Sequence, residues 1–275
     1  MTSAPPAEQE RTGPGAPEAS AAPGAPAGLG LAGKVAVVTG ASRGVGRAVA
    51  RRLCASGVQV LLDYAHSDED ARSAARSMAG LPGSVLPVRA DVTRKEDLER
   101  LLSMAGERYG RLDIFVHAAA DWHPMPAVGA DPGGVKADVA AAVDPLLNGV
   151  PALAELMAPG PGRVVVISSI GARATVPRYV GLGVAKAALE SLVRYLAVEL
   201  ADRAITVNAV STSKIDKGGA TASSPAARAL AARTPAGRLT VPEDIADVVA
   251  LLCTTEAGWI QGQVITADGG LSLLA

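Results

Sequence analysis

A chain of 275 residues fits one α/β domain of ordinary size or two small ones. Apolar residues make up 49% of it, enough to bury a large core. Its 26 basic and 27 acidic residues leave a net charge near −1. This balance argues against the basic surface that nucleic-acid binding needs.

Residues 1–28 stand apart: eighteen of them are Ala, Pro or Gly, without apolar periodicity. Such a segment buries too little to offset its ordering entropy, so disorder is expected. Glu8, Glu10 and Glu18 interrupt it and no apolar run follows, which is unlike a signal peptide. Apolar runs elsewhere fall short of the ~20 residues a membrane span needs, so a cytoplasmic protein without a membrane partner is expected. Cys54 and Cys253 are too few for a disulfide framework.

From Gly33 the pattern changes. Residues 34–39 are a nearly continuous apolar run, as in a strand covered on both faces. Residues 44–56 have helical spacing through Val45, Ala48, Val49 and Leu53, and Gly57 follows as a C-terminal cap. A strand over 58–63, a helix over 68–79 and a strand over 85–88 come next. Thr93 and Glu96 have the spacing of a capping box, which opens a helix to Tyr109. A strand at 112–117 precedes a helical stretch over 135–158, which Pro145 and Pro151 are expected to kink or split. The remaining expectations are a strand at 163–168, a helix at 180–201, a strand at 204–209, a helix at 242–252 and a strand at 263–267. Apolar strands alternating with helices specify a doubly wound parallel α/β sheet of Rossmann type, one domain over 29–275.

The first strand runs directly into Thr39-Gly40-Ala41-Ser42-Arg43-Gly44-Val45-Gly46, which opens a helix. Gly40 allows the sharp turn, Gly44 lets the backbone approach a pyrophosphate, and Gly46 lets helix and strand pack closely. The N–H groups over Ser42–Gly46 then point at the anion. A glycine-rich connection without a ligand is the bland alternative. The run Leu62-Asp63-Tyr64-Ala65-His66 follows the second strand. An NAD site wants an acid just past that strand. Counted from Gly57, that position falls on Tyr64. Arg43, with help from His66 and Ser67, can instead pair with a 2′-phosphate, which favours NADPH over NADH. The alternative leaves Arg43 solvated and makes Asp63 the ribose ligand.

These motifs, together with Asp91-Val92-Thr93, Ser168-Ser169, Lys186 and Asp268-Gly269-Gly270, resemble the short-chain dehydrogenase/reductases over 33–275. The usual tyrosine four residues before the lysine is missing, since Leu182 stands there. Tyr179 lies seven residues ahead of Lys186. That wider spacing is similar to the bacterial enoyl-acyl-carrier-protein reductases. Residues 187–200, Asn208-Ala-Val-Ser211, Thr234-Pro-Ala-Gly-Arg238 and 268–274 are similar to their NADPH-preferring third class. Seven residues advance ~700° on a helix, so both side chains share a face, ~10 Å apart along the axis. Gly181 and Gly183 weaken the helix between them, leaving Tyr179 on an unwound lead-in. As an alternative, Tyr179 is only a packing residue.

The resemblance implies reduction of a carbon–carbon double bond conjugated to a thioester carbonyl, the acyl group carried on an acyl carrier protein. Tyr179 would donate to the carbonyl oxygen. Lys186 would bind the nicotinamide ribose and lower the phenol's pKa, and Ser169 would orient the substrate. Asp91 and Val92 correspond to the adenine site, and the backbone of Ile215 to the carboxamide site. The aliphatic C-terminal third resembles relatives that form homotetramers. Trp122 and His123, in the loop after the fourth strand, are placed in the acyl pocket. A metal is not expected from His117, Asp121 and His123 without a further ligand motif. His117-Ala118-Ala119-Ala120 departs from the family's Asn-Asn-Ala-Gly turn, and His117 is expected to brace the sheet neutrally. The helix asparagine of the family has no clear counterpart, with Asn148, Asp144 and Leu146 nearest. These departures leave two other readings open: a ketoreductase of a β-keto thioester or secondary-metabolite ketone, and a catalytically silent dinucleotide-binding protein.

Overall fold

The computed structural model describes residues 29–158, 160–216, 218 and 224–274. The expectation of disorder over 1–28 falls outside the described residues. Seven strands form one parallel sheet: β1 (Val35–Thr39), β2 (Gln59–Tyr64), β3 (Ser84–Arg89), β4 (Ile114–His117), β5 (Gly162–Ile167), β6 (Ile205–Ser211) and β7 (Val264–Thr266). Their order is β3-β2-β1-β4-β5-β6-β7. Strand order reverses between β1 and β4, so the loops leaving them diverge and open a crevice at their C-terminal ends. The register sets Thr39 beside His117 at that seam.

The central strands β1, β4, β5 and β6 are buried at every position. Helices on both faces account for this and for the unbroken apolar runs. They are α1 (Gly44–Ala55), α2 (Asp68–Ser77), α3 (Lys95–Tyr109), α4 (Pro132–Leu156), α5 (Val180–Glu199), α6 (Pro225–Arg233) and α7 (Pro242–Leu252). On one face Val37, Phe115 and Val166 meet Leu98 of α3, Leu146 of α4 and Leu189 of α5. On the other, Val38, Val116 and Val210 meet Val49 of α1 and Ile245 of α7. This is the single doubly wound domain that the alternation specifies.

Three local expectations change. The Thr93–Glu96 capping box does not form. Arg94 is the N-cap of α3 and has no side-chain cap bond. Instead Thr93 donates from its N–H (3.1 Å) and hydroxyl (2.6 Å) to Asp91 Oδ1. This backward turn competes for the hydroxyl that would have capped the helix. Second, α4 runs unbroken through Pro145 and Pro151. Each proline removes one backbone bond, and packing holds the rest; a Cβ on Gly149 would stand 3.2 Å from Leu98 of α3. By length and composition α4 could cross a membrane, but its Ala141, Ala142, Leu146 and Leu153 belong to the core. Third, α6 was not foreseen. Its signals are Ser224, whose hydroxyl accepts from Ala227 N–H at 3.1 Å, and Pro225 in the first turn.

Candidate active site

The glycine loop between β1 and α1 is built on backbone needs. A Cβ on Gly40 would stand 2.8 Å from Ala119 Cα, and one on Gly46 would strike the Gly40 carbonyl. Gly40 also has φ +61°, where only glycine is unstrained. Gly44, at φ +56°, faces open space. Arg43 caps α1 in extended geometry without a side-chain cap bond, so the first N–H groups of the helix are left for a ligand. A narrow, side-chain-free cradle ending on an uncapped helix fits a dinucleotide pyrophosphate. Ser42 and Val45 are partly buried at its edge and Arg43 is exposed.

Around the adenosine end, the residues divide. Asp63 is buried beneath the loop, where Oδ2 accepts from Gly40 N–H at 3.2 Å and Oδ1 has no partner. Burial raises its pKa to about 7. Its side chain is held against the loop backbone and is almost wholly removed from solvent. Tyr64 ends β2 and His66 is exposed after it. Ser67 is committed as the cap of α2, accepting from Asp70 N–H at 3.1 Å. Asp91 is partly exposed, while the Val92 side chain lies in the core, so only its backbone can serve a ligand. Ile215 is partly buried and bridges to Thr240.

His117 braces the seam as expected. Its Nε2–H donates to Ala141 O (3.2 Å), which leaves Nδ1 to accept from the Thr39 hydroxyl (2.9 Å). Thr39 Oγ1 in turn accepts from Ala118 and Ala119 N–H, both at 3.1 Å. Every polar atom of the knot is satisfied by a neutral imidazole. Burial, and then the charge of Lys186, lower the His117 pKa to about 3. Of the three residues nearest to the family's helix asparagine, Leu146 is fully buried in the core.

Tyr179 stands as the N-cap of α5, one residue before the helix begins. This is the unwound lead-in. The residue before it, Arg178, has φ +59°, a left-handed conformation that an arginine adopts only when its surroundings impose it. Two bonds impose it: Met125 N–H donates to Arg178 O (3.2 Å), and the Arg178 guanidinium donates to Pro124 O (3.1 Å). The Tyr179 hydroxyl donates to Ser169 Oγ at 3.2 Å, and Ser169 Oγ also accepts from Gly171 N–H at 3.1 Å. The glycines serve this packing. A Cβ on Gly171 would lie 2.5 Å from the Tyr179 ring, and one on Gly183 would lie 2.9 Å from Gly171 O. Gly181 and Gly183 therefore admit close neighbours and leave α5 intact from Val180 onward.

Lys186 is 4% exposed, and its ammonium donates to Ile167 O at 2.7 Å. Burial lowers its pKa to about 8. The expected lowering of the Tyr179 phenol by Lys186 is not found. Burial raises the phenol, the Ser169 bond lowers it, and the charge of Asp138 raises it again. With its ammonium turned onto a strand carbonyl, Lys186 exerts no pull on the phenol here.

The loop after β4 forms the rim. A cavity of about 550 Å³ opens beside Tyr179, lined by Met125, Pro126, Gly171, Val176 and Val184 among others. Trp122 and His123 do not line it, contrary to the expectation. Trp122 tilts against the Tyr179 ring with centroids 6.3 Å apart. His123 turns to Asp138 of α4, Nδ1 to Oδ1 at 2.7 Å. His117 faces the core and His123 the rim, so the two do not converge. Among the described residues no cluster of three or more metal-ligating side chains occurs. Sequence reasoning missed Asp138, Gly171 and Glu190. Glu190 accepts from Ser168 Oγ (2.7 Å) and Arg173 Nε (3.0 Å), fixing the strand end that carries Ser169.

A dinucleotide cradle at a sheet's switch point, with a tyrosine, a serine and a lysine gathered at the next strand ends, defines a nicotinamide-dependent oxidoreductase. The family model described as "Enoyl-(Acyl carrier protein) reductase" matches residues 40–272. The chain belongs to this branch of the short-chain dehydrogenase/reductases and is an oxidoreductase of that type. It is 36% identical over 247 residues to 1-cyclohexenylcarbonyl-CoA reductase of Streptomyces collinus, covering 88% of each chain. Its fold matches the promiscuous reductase LugOII, which catalyses keto-reduction at C1 during lugdunomycin biosynthesis. There the TM-score is 0.82 with 34% identity, over 89% of this chain and 99% of that one. It also matches a 7α-hydroxysteroid dehydrogenase complexed with NADH and 7-oxo glycochenodeoxycholic acid. The TM-score is 0.81 with 28% identity, over 88% and 96%.

Proposed function

We propose that the protein reduces the carbon–carbon double bond of an enoyl thioester with NADPH. The observation that carries this reading is Tyr179, which stands at the lead-in of α5, seven residues before Lys186, and lines a mostly apolar cavity. A phenol so placed can donate to a thioester carbonyl while negative charge grows on its oxygen, the kind of stabilisation worth several kcal/mol in a dry site. The name of the Streptomyces collinus relative, a reductase of an unsaturated acyl-CoA, points the same way.

Gly40, Ser42, Gly44, Val45 and Gly46 would hold the pyrophosphate, with Asp91 and Val92 at the adenine and the Ile215 backbone at the carboxamide. The bound coenzyme supplies hydride. Tyr179 would donate its proton to the enolate oxygen and recover it as the enol takes up a solvent proton at the α-carbon, while Ser169 accepts from Tyr179 and fixes its hydroxyl. Lys186 is positioned to leave Ile167 O for ribose hydroxyls, and only then to lend its charge to the phenol. Arg43 is exposed at the loop and makes no ion pair among the described residues, and Asp63, the acid within β2, is buried. Both favour a 2′-phosphate over bare ribose hydroxyls. The acyl group would ride on coenzyme A or an acyl carrier protein. Exposed Leu147 on α4, with Tyr195 and Val198 on α5, supports self-association.

A second reading has its own support. The Ser169–Tyr179 bond is also the arrangement that protonates an alkoxide, and LugOII catalyses keto-reduction. Crotonyl-CoA and acetoacetyl-CoA, each with NADPH and NADH, separate the two. Turnover of crotonyl-CoA with NADPH, lowered at least ~100-fold in Tyr179→Phe, is expected. Turnover of acetoacetyl-CoA alone would install the ketoreductase reading. Dinucleotide binding without either turnover would install the silent one.

A further inference from the structure

His123 and Asp138 form a paired site that the proposed reaction does not use. Asp138 sits on α4 with its side chain fully buried, and among the described residues the only cation within salt-bridge distance of it is His123. His123 Nδ1 meets Oδ1 at 2.7 Å, and His123 N–H donates to Oδ2 at 3.4 Å. Two glycines clear the space. A Cβ on Gly134 would stand 3.3 Å from His123 Cβ, and one on Gly181 would strike Asp138 Oδ2. Gly181 lies two residues past Tyr179, in the first turn of α5. Asp138 is thus a buried acid wedged beside the proposed proton donor, with an imidazole as its counter-ion. The imidazole is half exposed, so it can exchange its proton with water.

We propose that His123 is a positioning residue whose positive charge cancels that of Asp138 beside Tyr179, so that charge development at the Tyr179 hydroxyl requires His123 to be protonated. This rests on the reading of Tyr179 as the proton donor. A buried carboxylate left uncompensated opposes any oxyanion forming nearby, because low dielectric lengthens its reach. The surroundings of each group fit. His123 is faced by Asp138 on α4, Asp131 at the start of α4 and Asp121 in its own loop, and the Asp138 bond holds its pKa above the usual value. Tyr179 is faced by Ser169 and Asp138, and Asp138 pushes the phenol up. The nearby cations are engaged elsewhere: Lys186 on Ile167 O, Arg173 on Glu190 and Arg178 on Pro124 O.

The test is a charge-cancellation cycle on the full chain, with crotonyl-CoA or acetoacetyl-CoA, whichever is turned over. His123→Gln should lower kcat about tenfold with little change in KM, the effect of roughly one pKa unit of electrostatic bias. His123→Gln with Asp138→Asn removes both charges and should return kcat to within about twofold of wild type. A purely structural hydrogen bond gives no such rescue, so a double variant as slow as the single overturns the proposal. A His123→Gln enzyme at wild-type rate overturns it too. The kcat–pH profile should lose a basic inflection in the double variant. A readout independent of turnover is the Tyr179 phenolate titration, taken as the 295 nm difference from Tyr179→Phe. Above the His123 pKa the imidazole is neutral and no longer cancels the Asp138 charge. Asp138→Asn should therefore lower the midpoint and His123→Gln should leave it alone; an unmoved midpoint in Asp138→Asn overturns the proposal. If Tyr179→Phe keeps full activity, the reading of Tyr179 falls and this inference with it. If Tyr179→Phe is inactive while His123→Gln matches wild type, only the inference falls.

Discussion

The two ends of the crevice are made differently. At the cofactor end, the loop after β1 works through what it lacks: no Cβ at Gly40 or Gly46, and no side chain capping α1. At the substrate end, side chains from α4, α5 and the loops after β4 and β5 must meet. Tyr179 reaches Ser169, His123 reaches Asp138, and Ser168 reaches Glu190. A cradle made of backbone tolerates no added atom but asks little of its neighbours. A cluster made of side chains depends on clearances set elsewhere. Substitutions that add one methyl to each end separate the two.

The largest effect is expected at Gly46→Ala. Its Cβ has no room against the Gly40 carbonyl, so the loop backbone itself must move. Dinucleotide affinity, measured by fluorescence titration, should fall about 100-fold or more as the helix N–H groups lose their aim. Gly80→Ala is the internal control. That position, at φ +81° and outside the cradle, has open space, and the cost is the strain of a left-handed alanine, about 1 kcal/mol of stability. If Gly80→Ala weakens binding as much as Gly46→Ala, the loss is one of stability and the backbone-cradle account is wrong.

Gly171→Ala makes the complementary cut. The new methyl would overlap the Tyr179 ring, and a ring can swing where a backbone cannot. Fold and dinucleotide affinity should survive within about twofold. The hydroxyl would leave Ser169, and kcat should drop roughly ten- to a hundredfold, the usual weight of a positioned acid. Equal losses in affinity and kcat would mean that the two ends are mechanically one.

This division also sets what the sequence could reveal. The strands and the glycine loop are legible because their requirements are local: apolar runs for a doubly covered sheet, and glycines at fixed offsets after the first strand. Tyr179 and Lys186 were found through the family resemblance, which their seven-residue spacing carries. Asp138 was not, because its partner His123 is 15 residues away and a lone aspartate in an alanine-rich helix carries no mark of burial. Gly171 reads as a loop glycine until the Tyr179 ring is placed against it. Trp122 and His123 were assigned to the acyl pocket from their loop alone. The neighbours on α4 and α5 decide instead that His123 turns to Asp138 and that Met125 and Pro126 face the cavity. The α3 cap was misjudged because one hydroxyl had two local partners and the sequence does not rank them.

Asp63 carries the smallest expected effect and tests whether the cradle's charge is managed from below. It lies under Gly40 with one oxygen unpartnered, and burial raises its pKa from 3.8 to about 7. The folded protein therefore holds this proton more tightly than the unfolded chain does. Its contribution favours folding below about pH 4 and is lost as pH rises toward 7, on the order of 2 kcal/mol after allowance for relaxation. Asparagine mimics the protonated acid, keeping an acceptor for Gly40 N–H. Asp63→Asn should match wild type at pH 4 and melt several degrees higher at pH 8. His117, buried neutral with its pKa lowered to about 3, tilts the wild-type curve the opposite way below about pH 6.5. The variant-minus-wild-type difference cancels that slope and is the quantity to follow. A difference that stays flat from pH 4 to 8 would show that Asp63 keeps its charge beneath the loop. The cradle would then meet a pyrophosphate with a carboxylate at its back.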